Sequence, residues 1–427
     1  MKLRGWIVIL TLLFSFGSWI QSQDIPIFSC GFEEENTLKP WKGFQGSVLQ
    51  KSSKAKEGSY SLEWQALKGS LVGFSALPQN DWRSGTSIEF WIFQEDSVPR
   101  TLEVRLKRNA RSLFWRKIQI QNSGWQKISI PFYQFARKNG PLWKDIRGFA
   151  LYARDEGTFF IDQIQVSAQK TTDIGKIEPD DLLCQRAFLE EKNVHLFKND
   201  YFRIVTNTDI DGKKLLERCA DLYHKFKTRL SLSTELEIPL TLVIFQQRER
   251  YIEFCGDTSQ RIYGLNLSPT TTDGRTIFDY CVSCYSEQFR EDRPVYFHEL
   301  THQLVSKYLG FDVDQYWIQE GLATLFQLEM MKEDPQIRQA ASKMTLLKNR
   351  VSLQHLDVKY LPETKEYFQM MTLIEFLMKG EYASEWTLFL KSFSTGASLE
   401  EAIKEVLNIE VKQFEIKWLE FCRSEYS

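Results

Sequence analysis

His298 and His302 stand four residues apart with Glu299 between them, in the segment PVYFHELTHQLV that begins at Pro294. That spacing asks for a helix. Residues four apart on a helix lie one above the other on the same face, so two imidazoles can grip one tetrahedral ion. Glu299 then projects about 100° around the helix, beside the ion rather than behind it. The whole chain holds only five histidines, which makes a chance pairing around a glutamate rare. A second segment, WIQEGLAT, follows and brings Glu320. Zinc takes neutral imidazole nitrogens and a carboxylate in a four-coordinate shell with one position left for water. His298, His302 and Glu320 are the candidate zinc ligands, although the same donors would accept another first-row metal. Glu299 is the candidate general base, taking a proton as water attacks a carbonyl and passing it to the leaving amine. Pro294 suits a helix start, and Val295, Leu300, Leu304 and Val305 are expected to bury the helix. The plainer reading is a buried amphipathic helix with two satisfied histidines; it leaves the later glutamate unexplained.

The 427 residues suggest two or three domains, and a 43% hydrophobic content supports a sizeable core. Net charge is −2 with both signs interspersed, and no basic stripe appears, so nucleic acid is not an expected partner. Residues 1–22 read as a signal peptide. Lys2 and Arg4 precede an apolar run from Trp6 to Ile20, and polar residues follow. The chain is therefore expected to be exported: periplasmic, cell-surface or secreted. A retained signal anchor is the alternative. No other segment is long and apolar enough to span a bilayer. Seven cysteines leave at least one unpaired within a monomer, and Cys281-x-x-Cys284 has no second such pair to complete a zinc knuckle.

The chain changes grammar near its middle. Residues 24–168 alternate with period two, as in SIEFWIF from Ser87 and TFFIDQIQV from Thr158, which predicts an antiparallel sandwich. Seven of the twelve tryptophans fall there. Residues 169–182 are polar and are expected to be a linker. Residues 183–427 predict an α+β domain: the strand YFRIVTN, an amphipathic helix from Lys213, the strand LTLVIF, and a short helix near Arg248. A hairpin turning at Asp273–Gly274 and the metal helix come next, then two or three helices beyond Tyr360.

HELTHQL followed by WIQEGLA resembles the gluzincin metallopeptidases, from about His195 to the end. The resemblance implies a zincin-like α+β peptidase domain with a C-terminal helical subdomain, acting on protein or peptide substrates. It assigns zinc to His298, His302 and Glu320, and the base to Glu299. Seventeen residues separate His302 from Glu320, about one fewer than the commonest family spacing. Some gluzincins orient a ligand histidine with an Asp four residues after the ligand Glu; here that residue is Thr324. A downstream Tyr or His stabilises the oxyanion in such enzymes, which points to Tyr367, with His355 as the second choice. His195 and His224 are expected to stay outside the chemistry. The strand around Thr276 is expected either to offer a sheet edge for extended substrate or to lie inside the sheet.

The front segment resembles galactose-binding-like jelly rolls, the sandwich of many carbohydrate-binding modules. The text that carries it is GFEEEN from Gly31, EGSYSLEW from Glu57 and GWQKISIPF from Gly124, together with the closing strands. It implies a glycan or cell-surface ligand, with Glu33 and Asp162 as candidate structural calcium ligands. Its tryptophans either stack on sugars or fill the core. The expected whole is a secreted zinc-dependent metallopeptidase with an accessory sandwich. The alternative is a noncatalytic surface-binding protein that keeps a peptidase-like domain.

Overall fold

The computed structural model describes residues 26–34, 37–75, 77, 80–109, 112–138, 143–168, 177–189, 193–233, 235–236, 238–263, 272–277, 279–309, 316–331, 350–356, 364–394 and 397–426. The expected signal peptide and residues 169–176 of the expected linker lie outside them.

The front region is a sandwich of two antiparallel sheets. Its strands are β1 (Phe28–Cys30), β2 (Trp41–Phe44), β3 (Val48–Ser52), β4 (Ser61–Ala66), β5 (Leu71–Ser75) and β6 (Gly85–Gln94), then β7 (Arg100–Lys107), β8 (Leu113–Ile120), β9 (Gly124–Pro131), β10 (Ala136–Lys138), β11 (Gly148–Ala153) and β12 (Gly157–Ala168). One sheet runs β3-β4-β12-β6-β9, with β1 also on β12, and the other runs β10-β8-β7-β11-β5-β2. The period-two pattern explains the layers. On β6, Ile88, Phe90 and Ile92 are buried while Glu89, Trp91 and Phe93 face outward. Trp41, Trp64, Trp82 and Trp143 are core, and Trp143 lies stacked between Phe114 and Phe132 at 3.8 and 4.0 Å. Trp91, Trp115 and Trp125 are only half-buried.

The second region holds a five-stranded mixed sheet and helices. Helix α1 (Asp180–Phe188) starts inside the segment expected to be linker, and Leu183, Ala187 and Phe188 bury its inner face. Strands β13 (His195–Lys198), β14 (Phe202–Thr206), β15 (Leu240–Phe245), β16 (Gly274–Ile277) and β17 (Tyr280–Cys284) give the order β13-β14-β15-β17-β16. The three inner strands are parallel and every residue in them is buried, Arg203, Thr206, Thr241 and Ser283 included. Between them come α2 (Gly212–Arg229) and α3 (Arg248–Tyr263), the latter longer than the short helix expected. The hairpin closes where Ile277 pairs with Tyr280; Asp273–Gly274 opens β16 and is not the turn. Cys281 and Cys284 are buried strand residues, and every cysteine is a free thiol.

Helix α4 (Pro294–Leu309), which carries His298 and His302, packs on this sheet and is followed by α5 (Tyr316–Met330), α6 (Leu353–Leu356) and α7 (Thr364–Lys379). Helices α8 (Trp386–Ser394), α9 (Leu399–Val406) and α10 (Val411–Tyr426) complete the described chain. Four helices therefore lie beyond residue 360, more than the two or three expected. The missed boundary carries a sequence signal: Ser398 and Glu401 close a capping box at the start of α9.

The two regions are joined by a packed interface. Ala136 of β10 is fully buried in one cluster with Phe188, Val243 and Phe254, and Trp115 packs against it. Arg137 reaches Asp279, beyond the β16 end, at 3.7 Å, and Lys307 of α4 holds the same carboxylate.

Candidate metal centre

Helix α4 carries both histidines on one face, as the four-residue spacing requires. Pro294 is its first residue, and Leu300, Leu304 and Val305 are fully buried; Val295 is only partly so. Glu320 is the fifth residue of α5, which lies against α4. The three side chains converge. His298 Nε2 lies 3.1 Å from Glu320 Oε2 and 3.2 Å from His302 Nε2, and His302 Nε2 lies 3.5 Å from Glu320 Oε2. Two ligands about 2.05 Å from a tetrahedral ion stand about 3.3 Å apart, so these separations match the edges of a zinc coordination tetrahedron. Among the described residues they form the one such trio of His, Cys, Asp or Glu. Their side chains are 14, 13 and 7% exposed, enough for an ion to enter and too little for bulk water to screen the cluster.

His302 and Glu320 shift in opposite directions. Burial opposes a charge on His302, but the Glu320 carboxylate, by charge and hydrogen bond, lifts its pKa from 6.5 to about 9. Burial also works against ionised Glu320, yet the two imidazoles hold it far below its ordinary value. The metal-free cluster is thus an ion pair in which a proton replaces a cation.

The surrounding residues orient the ligands. With the proton on Nδ1, His298 donates to Gln327 Oε1 at 2.9 Å, which leaves Nε2 bare and facing the cluster. Gln327 takes the place considered for residue 324; Thr324 is simply buried. The signal for Gln327 was its position seven residues after Glu320, two turns along the same helix face.

Glu299 is buried beside the trio, and Thr276 of β16 donates to its Oε2 at 2.8 Å; the same hydroxyl also lies 2.9 Å from the Glu299 carbonyl. Strand β16 comes this close because Gly274 has no side chain: a Cβ there would stand 2.4 Å from Val295 Cγ2. The structure also settles the place of Thr276: β16 is the edge strand, and β17 is the interior one.

Tyr367, in the first turn of α7, has its ring 6.1 Å from that of His298. Helix α7 approaches closely because residue 321 is glycine; a Cβ there would lie 2.8 Å from the Met370 carbonyl. Burial, then the charge on Glu320, pushes the Tyr367 phenol up to about 12, so it stays protonated as a donor. Tyr316, one turn before Glu320, was missed in the sequence. Burial, then the charges of Glu320 and Tyr367, push its phenol up. His195 and His224 are exposed and stand apart from the trio, as expected. His355 falls on α6, and its side chain lies outside the described set.

The front acids behave differently. Asp162 is fully buried; its Oδ2 accepts the N–H groups of Lys56 and Glu57 at 2.9 and 3.1 Å, and Oδ1 that of Gln163 at 2.8 Å. Glu33 is exposed and accepts from the Ser59 and Tyr60 N–H groups at 2.9 and 3.1 Å. Both acids meet at one loop, residues 56–60. The oxygens a calcium ion would need are taken up by backbone donors, so the loop as it stands is a staple and not an oxygen cage.

Residues 28–181 match a family model described as "Lyase, N terminal". No curated protein matches the chain. Among solved structures, it is similar to a family 11 carbohydrate-binding module from Clostridium thermocellum in complex with a β-1,3-1,4-mixed-linked tetrasaccharide. The identity is 19%, over 35% of this chain and 98% of that one, with a TM-score of 0.28. A xylan-binding domain of family 22 from Paenibacillus barcinonensis is similar at 17% identity, over 35% of this chain and 97% of that one, with a TM-score of 0.26.

Proposed function

We propose that this chain is an exported zinc metallopeptidase of gluzincin type, with the front sandwich as an accessory module that docks it to a glycan or surface. The observation that carries the reading is the trio His298, His302 and Glu320, spaced like the edges of a tetrahedron, with buried Glu299 beside it. The donor set, two imidazoles and one carboxylate, is the one zinc takes in hydrolytic sites. The bound ion would supply Lewis-acid polarisation and lower the pKa of the attacking water towards ~7.

The chain's own residues supply the rest. Thr276 holds Glu299 Oε2, which leaves Oε1 to take the proton of the attacking water and return it to the leaving amine. Tyr367, protonated and beside His298, donates to the oxygen on which negative charge develops. The outer edge of β16 carries backbone groups that an extended peptide can pair with, next to Glu299. Calcium at Glu33 and Asp162 is not carried into this reading, because amides occupy those oxygens.

The test is turnover of casein or a peptide library by purified protein holding about one zinc per chain. Glu299→Gln should keep the zinc and lose activity by about 10²–10⁴-fold. Unchanged turnover in that variant refutes the mechanism. A zinc-loaded chain with no turnover on any peptide favours the noncatalytic alternative.

A further inference from the structure

The second sheet of the sandwich has a trough of about 230 Å³ on its outer face, across β2, β5, β11 and β7. Its floor is bare because the residues there are Gly73, Gly148 and Ala150. Gly73 cannot be filled in: a Cβ there would stand 2.4 Å from the Phe149 carbonyl of the adjacent strand. Phe44, half-exposed at 51%, offers one apolar wall.

Uncharged residues, Leu71 and Phe74 among them, complete the walls, and the charged lining residues are all cations: Lys42, Lys107, Arg108 and Arg147. Lys42 and Lys107 have no ion-pair partner among the described residues, and Arg108 and Arg147 share the single carboxylate of Asp145 at 2.8 and 2.7 Å. Four cations thus meet one carboxylate. Lys107 is half-buried, and an ammonium held away from water without a counter-charge is unfavourable. Burial and the neighbouring Arg105 lower its pKa accordingly. An anion in the trough would relieve both effects, and Phe44 would face the apolar side of a sugar ring. On the opposite sheet the lysines lie over rings or beside acids: Lys51 over Tyr60, Lys56 over Trp91, Lys54 over Phe93 and Phe160 and paired with Glu95, and Lys127 paired with Glu89.

We propose that the sandwich binds an acidic polysaccharide, with its carboxylate or sulfate groups against Lys42 and Lys107 and a sugar ring on Phe44. The proposal rests on the docking role given to the sandwich and names its ligand class. A flat anionic bilayer does not reach the floor of a concave trough.

The experiment is calorimetric titration of the full chain with polygalacturonate, heparin, mixed-linkage β-glucan and duplex DNA. Polygalacturonate or heparin should bind, whichever of carboxylate or sulfate suits the trough, with an affinity that falls with salt. Lys107→Gln should weaken that binding at least tenfold and flatten the salt dependence, at an unchanged thermal midpoint. Phe44→Ala, at an exposed position, provides a second variant should the first fail to fold. Equal or tighter binding of the neutral glucan overturns the acidic ligand but keeps the docking role. No binding of any glycan removes both. DNA binding above that of the acidic glycans, or affinity unchanged in both variants, also overturns the proposal.

Discussion

Two acidic sites, one in each region, use the same residue types in opposite ways. In the sandwich, Asp162 and Glu33 face the backbone N–H groups of a single loop, and each carboxylate is satisfied by the fold itself. Around α4, Glu320 faces two imidazole nitrogens that face each other as well, at 3.1 to 3.5 Å. Three groups that each want a cation or a proton at the same point are not a stable arrangement of neutral partners. The difference teaches that a cluster of acids is not a metal site until its oxygens lack donors of their own. Backbone amides close the first site, and the second stays open to an ion.

Removing Asp162 should break the first half of this contrast most strongly. Asp162→Ala leaves three backbone N–H groups without their acceptor, and should destabilise the sandwich by about 2–4 kcal/mol in urea unfolding. Calcium should leave the midpoint of the unmodified protein where it is. A large calcium-induced rise would turn the staple into an ion site and erase the contrast.

The second half is sharpened through Gln327. Gln327→Ala frees the His298 ring to rotate or change tautomer, and should weaken zinc binding by about 10–100-fold in a chelator competition. Thr324→Ala, by contrast, should leave zinc affinity within about twofold, since no ligand leans on it.

A third test concerns pH. His302 is raised from 6.5 to about 9 in the metal-free fold, so its pairing with Glu320 stabilises fully below pH 6.5 and is lost as pH rises through about 9. Glu320 is depressed, so its share is present above pH 4.5 and fades as pH falls below that. Metal-free protein should therefore lose stability between pH 6.5 and 9, whereas zinc-loaded protein should not. Urea midpoints across that range with and without chelator measure it, and parallel curves would mean that no proton stands in for the ion.

The helix that carries the pair was legible because its chemistry and its period coincide: His298 and His302 at four residues, with Leu300 and Leu304 on the buried side. The strands were legible for the same reason, through period two in the sandwich and short β-branched runs in β14 and β15. What escaped was set by tertiary contact. Gln327 and Tyr316 matter only because α5 lies against α4 and α7, and a single sequence does not show which helix faces meet. The role of Thr276 depends on β16 lying at the edge of the sheet, which strand order decides and local pattern does not. The contacts of Asp162 escaped too, because backbone donors carry no residue signature.

The most direct test of the contrast is a crystal grown in zinc and measured on both sides of the zinc absorption edge. The account predicts one strong anomalous peak about 2.0–2.2 Å from His298 Nε2, His302 Nε2 and a Glu320 carboxylate oxygen, and none at Asp162. A peak at Cys281 and Cys284 or at Glu33 and Asp162, with nothing between the two helices, would contradict it.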